Sequence, residues 1–336
     1  MQPQNATLSA TPSAIVTYLN QHVIGQDAAK RTLAVAVYSH YKKLAAAPGD
    51  ALLDKSNVLL IGPSGTGKTL LCETLSRCLE VPFVTADATS LAQTRYVGEE
   101  IEAMLSRLLE RAGGDTGRAG RGIVFIDEID KLRGGSEARA VSGESVQHAL
   151  LKIMEGYPVK LGSSGYLDTS GILFICGGAF VGLDEIMAKS QSFGFIATGE
   201  NDQQGILDRL NSRVKPTDLF SFGLIPEFTG RLPVIARFDE LSKELLARIM
   251  TEPKNSLYRQ FRQMLQNEGV ELVIEPAVFA QMADIAYEYK TGARSLRGIF
   301  EELLAPVLYL VPDHPEVGKV VIRSLFESPT YFRHKD

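Results

Sequence analysis

Short apolar runs alternate with amphipathic segments between residues 57 and 238. Such runs are typical of parallel strands buried on both faces, and the segments between them have the apolar spacing of helices. The predicted strands are Asn57–Ile61, Pro82–Ala86, Gly122–Ile126, Gly171–Cys176 and Leu232–Phe238. The predicted helices between them are Lys68–Leu79, Glu99–Ala112 and Glu144–Glu155. The pattern predicts an α/β domain with a parallel sheet covered by helices.

The flanking regions follow a different, mostly helical pattern. The predicted elements are helices at Pro12–Leu19, Asp27–Leu44, Ser242–Gln266, Pro276–Tyr289 and Arg294–Leu310, and short strands at Glu271–Ile274 and Lys319–Ile322. Glycine-rich or polar stretches predict loops at Gly113–Arg121, Gly156–Gly165 and Gly199–Gly205. We predict a disordered lead-in over residues 1–12, a large domain over 13–238, a small, mostly helical domain over 239–325 and a C-terminal tail over 326–336.

Composition narrows the class of protein. The 336 residues carry a formal net charge of −5, which argues against binding of nucleic acid by the chain as a whole. There is no run of eighteen apolar residues and no secretory signal near Met1, so we expect a cytoplasmic protein without a membrane span. The three cysteines, Cys72, Cys78 and Cys176, form no CxxC pair. We therefore expect reduced thiols and no zinc site.

A phosphate-binding motif follows the first predicted strand. The residues Gly62-Pro63-Ser64-Gly65-Thr66-Gly67-Lys68-Thr69 match G-x-x-x-x-G-K-[ST], and Leu70 continues the segment into the next helix. Glycines let backbone N–H groups curl around phosphate oxygens, and the helix N-terminus attracts the same negative charge. We expect Lys68 to reach the β- and γ-phosphates of ATP and the Thr69 hydroxyl to bind Mg²⁺.

Two acidic residues end the third predicted strand, in the run Ile123-Val124-Phe125-Ile126-Asp127-Glu128. An apolar run that ends in two acids also occurs by chance, but a P-loop upstream makes it the expected partner motif. Asp127 is predicted to hold Mg²⁺ through water, and Glu128 to polarise the attacking water as a general base. The adjacent glutamate indicates ATP hydrolysis rather than phosphoryl transfer to a second substrate.

These motifs together resemble those of the ClpX family of AAA+ unfoldases, which feed the ClpP peptidase. The residues that carry the resemblance are Val23-Ile24-Gly25-Gln26, Gly62–Thr69, Asp127–Lys131, Phe174–Phe180, Phe222–Pro233 and Thr291–Arg297. The resemblance extends from about Pro12 to Ile322. It implies an AAA+ P-loop large domain followed by a smaller, mostly helical AAA+ domain. It also implies a homohexameric ring that unfolds proteins through an axial pore and delivers them to ClpP.

The resemblance assigns roles to residues outside the two motifs. Val23 and Ile24 match adenine-pocket residues, although a plain buried pair at a helix entry would have the same pattern. Arg231, in Glu227–Pro233, matches the arginine finger that acts with Lys68 and Glu128 in catalysis, at the γ-phosphate of a neighbouring subunit. Arg294 matches a second sensor that contacts nucleotide. A first sensor is expected near Cys176-Gly177-Gly178, where the usual polar residue is absent.

Three loops match those that contact other polypeptides. Tyr96 and Val97 match the pore loop that grips substrate, although Arg95 stands where the family has glycine. Val141 lies in a match to the second pore loop. The segment Phe193-Gly194-Phe195 replaces the peptidase-docking tripeptide Ile-Gly-Phe. A loop that folds against its own domain remains the alternative for this last segment.

Other departures leave the partners open. No cysteine precedes Cys72, so the N-terminal zinc-binding domain of the family is not expected in this chain. The segment Gly156–Leu167 lacks the Arg-Lys-His of the third pore loop, which questions the recognition of tags that this loop reads. Two alternatives therefore stand beside the ClpP-coupled unfoldase. The first is a stand-alone protein remodeller, and the second is an AAA+ motor that acts on nucleic acid.

Overall fold

The computed structural model describes residues 10–46, 55–93, 96–133, 142–162, 165–192 and 213–334. These residues form two compact units. The first contains the described parts of residues 10–15, 28–62 and 72–238. The second contains residues 16–27 and 63–71 and the described part of 239–336. None of the described helices is long and apolar enough to cross a membrane.

The first unit is built on a five-stranded parallel sheet. Its strands lie in the order β2-β3-β6-β1-β7, and every neighbouring pair is parallel. Their bounds are Val58–Ile61 for β1, Phe83–Asp87 for β2, Ile123–Asp127 for β3, Leu173–Gly178 for β6 and Val234–Arg237 for β7. Strands β1 and β6 are buried along their whole length, as is β3 up to Asp127. The predicted parallel sheet with surrounding helices is confirmed.

Ten helices belong to the described chain before residue 231. They are α1 Pro12–Asn20, α2 Asp27–Leu44, α3 Lys68–Leu79, α4 Ala88–Gln93, α5 Val97–Arg111, α6 Thr116–Ala119, α7 Gly143–Glu155, α8 Leu183–Ser192, α9 Pro216–Phe222 and α10 Pro226–Gly230. Helix α5 shows how the apolar face of a helix packs in this unit's core. Its buried residues recur every three or four positions, from Ile101 to Leu109, and form one core with Val124, Ile126 and Phe174.

Two segments predicted as loops contain regular structure. Within Gly113–Arg121, the carboxylate of Asp115 accepts hydrogen bonds from the N–H groups of Gly117 and Arg118 and starts α6. Within Gly156–Gly165, residues Pro158–Lys160 form β4, which pairs antiparallel with β5, Tyr166–Asp168. Val159 and Leu167 are buried where these strands pair. Strands of three residues are too short to give a readable alternation in the sequence.

The second unit combines four helices with a three-stranded sheet. They are α11 Lys243–Thr251, α12 Leu257–Asn267, α13 Pro276–Glu288 and α14 Arg294–Leu310, with β8 Glu271–Ile274, β9 Val317–Ile322 and β10 Thr330–Arg333. The sheet order is β10-β9-β8, with β8 and β9 parallel and β9 and β10 antiparallel. Strand β10 lies within the predicted C-terminal tail. Phe279 and Phe300 belong to this unit's core.

The single helix predicted over Ser242–Gln266 is wrong, because the segment forms α11 and α12. Pro253 follows the first of these helices and offers no backbone N–H for a continued helix. Ser256 then accepts a hydrogen bond from the N–H of Arg259 at 3.4 Å and caps the second helix. The apolar spacing runs on through the break, which is why it predicted one helix.

His40, on α2, makes the stability of the first unit depend on pH. Its side chain is 6% exposed, and its Nε2 lies 3.0 Å from the carbonyl oxygen of Gly171. Burial lowers the pKa of His40 from 6.5 to about 4, and the nearby cations Lys55 and Lys43 act in the same direction. The unfolded chain therefore binds one more proton than the folded chain between these two values, and stability is lost as the pH falls through that window.

We expect wild-type protein to lose about 2 kcal/mol more unfolding free energy between pH 7 and pH 5 than the His40→Gln variant loses. Urea unfolding at the two pH values measures the difference. His148→Gln is the matched control, since that side chain is exposed. Equal losses in wild type and His40→Gln would contradict the assignment.

Candidate nucleotide-binding site

The loop Gly62–Gly67 joins β1 to α3, and its glycines meet steric demands that other residues cannot. The N–H of Gly62 donates to the carbonyl oxygen of Gly178 at 3.2 Å. A Cβ atom at Gly62 would lie 2.5 Å from the carbonyl oxygen of Phe238. Gly65 and Gly67 have φ values of +77° and +94°, in the left-handed region that favours glycine. The loop therefore has the conformation that the motif predicts.

The side chain of Lys68 lies inside this loop. It is 7% exposed, and its Nζ donates to the carbonyl oxygen of Pro63 at 2.9 Å. The hydroxyl of Thr66 donates to the same oxygen at 2.8 Å. Lys68 is also the first residue of α3, where the helix dipole adds positive charge. A buried ammonium at a helix N-terminus beside a glycine turn fits the phosphate groups of a nucleotide.

Two further motif residues, Thr69 and Leu70, lie in the first turn of α3. Thr69 is half-buried, and Leu70 is 37% exposed. On the other side of the loop, Pro63 and Ser64 are exposed.

Backbone from the far end of the sequence packs against the P-loop turn within the second unit. The N–H of Ala293 donates to the carbonyl oxygen of Gly65 at 3.0 Å. Gly292 has a φ of +61°, and a Cβ atom there would lie 2.8 Å from the same oxygen. Arg294, the next residue, is exposed and begins α14. The predicted second sensor is thus carried by a turn that is bonded to the P-loop backbone.

Val23 and Ile24, the predicted adenine-pocket residues, are 4% and 9% exposed and lie between α1 and α2. Their neighbour Gln26 belongs to the same run, but the sequence predicted no role for it. Its amide nitrogen donates to the carbonyl oxygen of Asp239 at 2.8 Å, and its amide oxygen accepts from the N–H of Asp239 at 2.9 Å. No sequence pattern predicts this contact, because the two residues are more than two hundred positions apart.

The predicted acids end β3 with strained backbone. Both side chains are half-buried, and a carboxylate oxygen of Asp127 accepts the N–H of Glu128 at 2.9 Å. Glu128 adopts φ 58° and ψ 31°, the left-handed conformation. For a residue with a Cβ this conformation costs about 1–2 kcal/mol, and such strain concentrates at functional sites.

A third acid, Asp130, was missed by the sequence analysis. It is 5% exposed and accepts hydrogen bonds from the N–H groups of Ala179 and Phe180 at 3.3 and 3.2 Å. A Cβ atom at Gly178 would lie 2.5 Å from its carboxylate. This carboxylate therefore occupies the strand end where a first sensor is expected. The position of Asp130 in the run that contains Asp127 and Glu128 is the signal that could have found it.

Sheet topology brings the ends of three strands to one edge. Strand β6 lies between β1 and β3, and all three are parallel. Their carboxyl ends carry Gly62, Asp127 and Gly178. In an open parallel sheet this edge is where ligands bind. Gly62 and the acids of β3 therefore lie at the expected edge.

The remaining predicted residues are at the surface or outside the described residues. Arg231, directly after α10, has its guanidinium paired with Glu155 at 2.7 Å. Tyr96 precedes α5 with 67% of its surface exposed, whereas Val97 is half-buried against the core. Arg95, Val141 and Phe193-Gly194-Phe195 lie outside the described residues.

Each predicted residue that the structure describes belongs to one of the two units. The first unit contains Gly62, Tyr96, Val97, Asp127, Glu128 and Arg231, and the second contains Val23, Ile24, Arg294 and the P-loop residues Pro63, Ser64, Gly65, Thr66, Gly67, Lys68, Thr69 and Leu70.

The strain at Glu128 predicts a trade of stability for function. Glu128→Gly should raise the free energy of unfolding by about 0.5–1 kcal/mol, because glycine adopts the left-handed conformation without a Cβ clash. Glu128→Gln should leave it unchanged, since glutamine has the same backbone cost. Urea unfolding compares the three proteins. A less stable Glu128→Gly protein would show that the conformation is not strained.

Comparisons with known proteins agree with this geometry. Residues 53–235 match the family model of the AAA domain (Cdc48 subfamily), and residues 241–317 match that of the C-terminal, D2-small domain of ClpB protein. The ATP-dependent Clp protease ATP-binding subunit ClpX of Azotobacter vinelandii is 45% identical, over 91% of this chain and 76% of the relative. The protein of that name from Treponema denticola is 44% identical, over 90% of this chain and 78% of the relative. The chain is therefore an ATPase that belongs to the ClpX family.

Proposed function

We propose that this chain forms a homohexameric ring that hydrolyses ATP between neighbouring subunits and uses the energy to unfold proteins through an axial pore. The observation that carries the proposal is the glycine turn that buries Lys68 at the N-terminus of α3 and is bonded to the turn before Arg294. It supports a nucleotide site that is linked to the helix of a predicted sensor.

In this proposal the chain's own residues divide the chemistry of hydrolysis. Backbone N–H groups of Gly65, Gly67 and Lys68 bind phosphate oxygens, and the Lys68 ammonium stabilises charge on the β- and γ-phosphates. Glu128 accepts a proton from the attacking water. Thr69 and Asp127 would hold Mg²⁺, which would neutralise charge at the phosphates when bound. Val23 and Ile24 contact the adenine.

Arg231 is the residue that makes hydrolysis depend on assembly. A finger that belongs to one subunit and acts on the next requires a head-to-tail interface, which closes into a ring when the rotation fits. The half-exposed guanidinium supports this role, because its outer edge can reach a neighbour. Such fingers raise hydrolysis rates about 10³–10⁵-fold.

Nucleotide state would reach helix α14 through Arg294. The hydrogen bond from Ala293 to Gly65 supports this coupling, because a shift of the P-loop turn moves the start of α14 directly. Differential contacts of a ligand with two conformations are what drive such a change.

Tyr96 is proposed to grip the polypeptide in the pore. It is exposed at the N-terminus of α5, while Val97 anchors the helix start on the core. An aromatic ring gives a large contact area to any chain sequence at low entropic cost.

Delivery to ClpP is the finer part of the proposal. The relatives are named as ATP-binding subunits of the Clp protease. Phe193-Gly194-Phe195 is the segment proposed to dock to ClpP in this chain. The phenylalanine in place of isoleucine favours the stand-alone remodeller as the second candidate. Stimulation of purified ClpP by the assembled ring, lost in Phe193→Ala, would decide for delivery.

Glu128→Gln should bind ATP as tightly as wild type and lose turnover by at least about 10²-fold, because the general base is gone. Arg231→Ala should lower the rate of ATP hydrolysis by about 10³-fold or more, while each subunit of this variant still binds nucleotide. Steady-state ATPase assays measure turnover, equilibrium binding measures the affinity for nucleotide, and light scattering measures the mass of the assembly. Full hydrolysis by Arg231→Ala, or a wild-type monomer at saturating ATP, would refute the intersubunit site. Hydrolysis stimulated by DNA instead of protein would favour the nucleic-acid motor.

Tyr96→Ala should keep ATP hydrolysis within about twofold and reduce unfolding of a fluorescent model protein by about tenfold or more, since the lost ring is a contact with the substrate and not with the nucleotide. Tyr289→Ala is the matched control, because that tyrosine is similarly exposed at 61% on the second unit. Equal unfolding rates for wild type and Tyr96→Ala would exclude Tyr96 as the gripping residue.

A further inference from the structure

We propose that Glu155 is a positioning residue for the arginine finger Arg231, and that it acts by hydrogen-bond geometry rather than by charge. The inference rests on the proposed role of Arg231 in the neighbouring site. Neither the motifs nor the comparisons assign a role to Glu155.

The contact between the two side chains leaves one edge of the guanidinium for another partner. Nε of Arg231 donates to Oε1 of Glu155 at 2.9 Å, and Nη2 lies 2.7 Å from the same oxygen as an ion pair. Arginine has five N–H donors in a planar fork, so donors on the outer edge still point away from Glu155. A phosphate of a neighbouring site can approach that edge while the inner edge stays held.

The backbone on both sides of this pair is fixed by Asn57. This side chain is 1% exposed, and its amide nitrogen donates to the carbonyl oxygen of Arg231 at 3.2 Å and to that of Met154, which precedes Glu155, at 3.5 Å. Its amide oxygen accepts the N–H of Phe174 on β6 at 3.4 Å. One buried amide thus ties the finger, the end of α7 and the central sheet together.

Glu155 also stands at a helix end that cannot shift freely. It is the last residue of α7, and Gly156 follows with a φ of +103°. A Cβ atom at Gly156 would lie 2.5 Å from the hydroxyl of Ser170. The carboxylate therefore projects from a fixed point, as positioning of a long, flexible arginine requires.

Geometry accounts for the pair better than net attraction does. Both side chains are half-exposed, 46% for Arg231 and 41% for Glu155, and ion pairs of this kind add little to stability in water. A carboxylate also weakens the attraction of the arginine for phosphate. What Glu155 contributes is therefore the orientation of the Arg231 guanidinium. A neutral hydrogen-bond acceptor at the same place would orient it equally well.

Two substitutions separate geometry from charge. Glu155→Gln keeps an acceptor oxygen at the same reach without the charge, and Glu155→Asp keeps the charge but withdraws it by one methylene. In the assembled ring we expect kcat for ATP hydrolysis within about twofold of wild type for Glu155→Gln and about tenfold lower for Glu155→Asp and Glu155→Ala, with KM little changed. Glu252→Ala is the control, because Glu252 accepts from Nε and Nη2 of Arg248 on the equally exposed surface of α11; its kcat should equal wild type.

Each contrary result has a distinct meaning. A kcat of Glu155→Ala at or above wild type would overturn positioning, as would Glu155→Gln failing while Glu155→Asp succeeds. Lower melting temperature or lost assembly in all three variants would make the role structural and overturn the proposal as well. Arg231→Ala is measured in parallel. If Arg231→Ala keeps full hydrolysis, the assignment of Arg231 as the arginine finger is wrong. If Arg231→Ala loses hydrolysis while Glu155→Ala keeps it, only the inference on Glu155 is overturned.

Discussion

Close backbone approach at the P-loop glycines is the constraint on which the rest of the site depends. The chain leaves β1 at Gly62 where a Cβ atom would strike the carbonyl oxygen of Phe238, and it turns at Gly65 against the backbone of Thr291 and Gly292. Only glycine fits at either point. Because both approaches are to backbone, neither can be relieved by a change of rotamer. The loop shape is thus set by packing before any phosphate is present.

That shape decides where the charged groups lie. The turn places Lys68 at the first position of α3 with its ammonium within 2.9 Å of a carbonyl of the same loop. A buried cation is costly without polar partners, and phosphate oxygens carry the charge that a helix N-terminus favours. The strained Glu128 follows the same logic, since its backbone cost is tolerated at the end of a strand that is otherwise fully buried.

The sequence predicted those parts of the molecule that follow from local pattern. The five strands of the large sheet are mostly apolar runs, and the P-loop and Asp127-Glu128 are contiguous motifs, so both could be read directly. The break at Pro253 was missed because the apolar spacing of the helix continues through it. The pair β4–β5 was missed because strands of three residues are too short to show an alternation. Gln26, Asn57 and Asp130 were missed for another reason. Each holds backbone groups that are distant in sequence, and no local pattern records such a partner.

The missed polar residues share a function that separates them from the motif residues. Asn57 and Asp130 are 1% and 5% exposed and bind main-chain groups of neighbouring elements, whereas Tyr96, Arg231 and Arg294 are exposed and project from element ends. A buried side chain that is fully bonded to backbone cannot reach a ligand. It can, however, fix the backbone from which an exposed side chain reaches that ligand. The precision of an exposed arginine then comes from the buried amide behind it. Residues that act on nucleotide or on a neighbour need this second set, because their own long side chains retain several rotatable bonds.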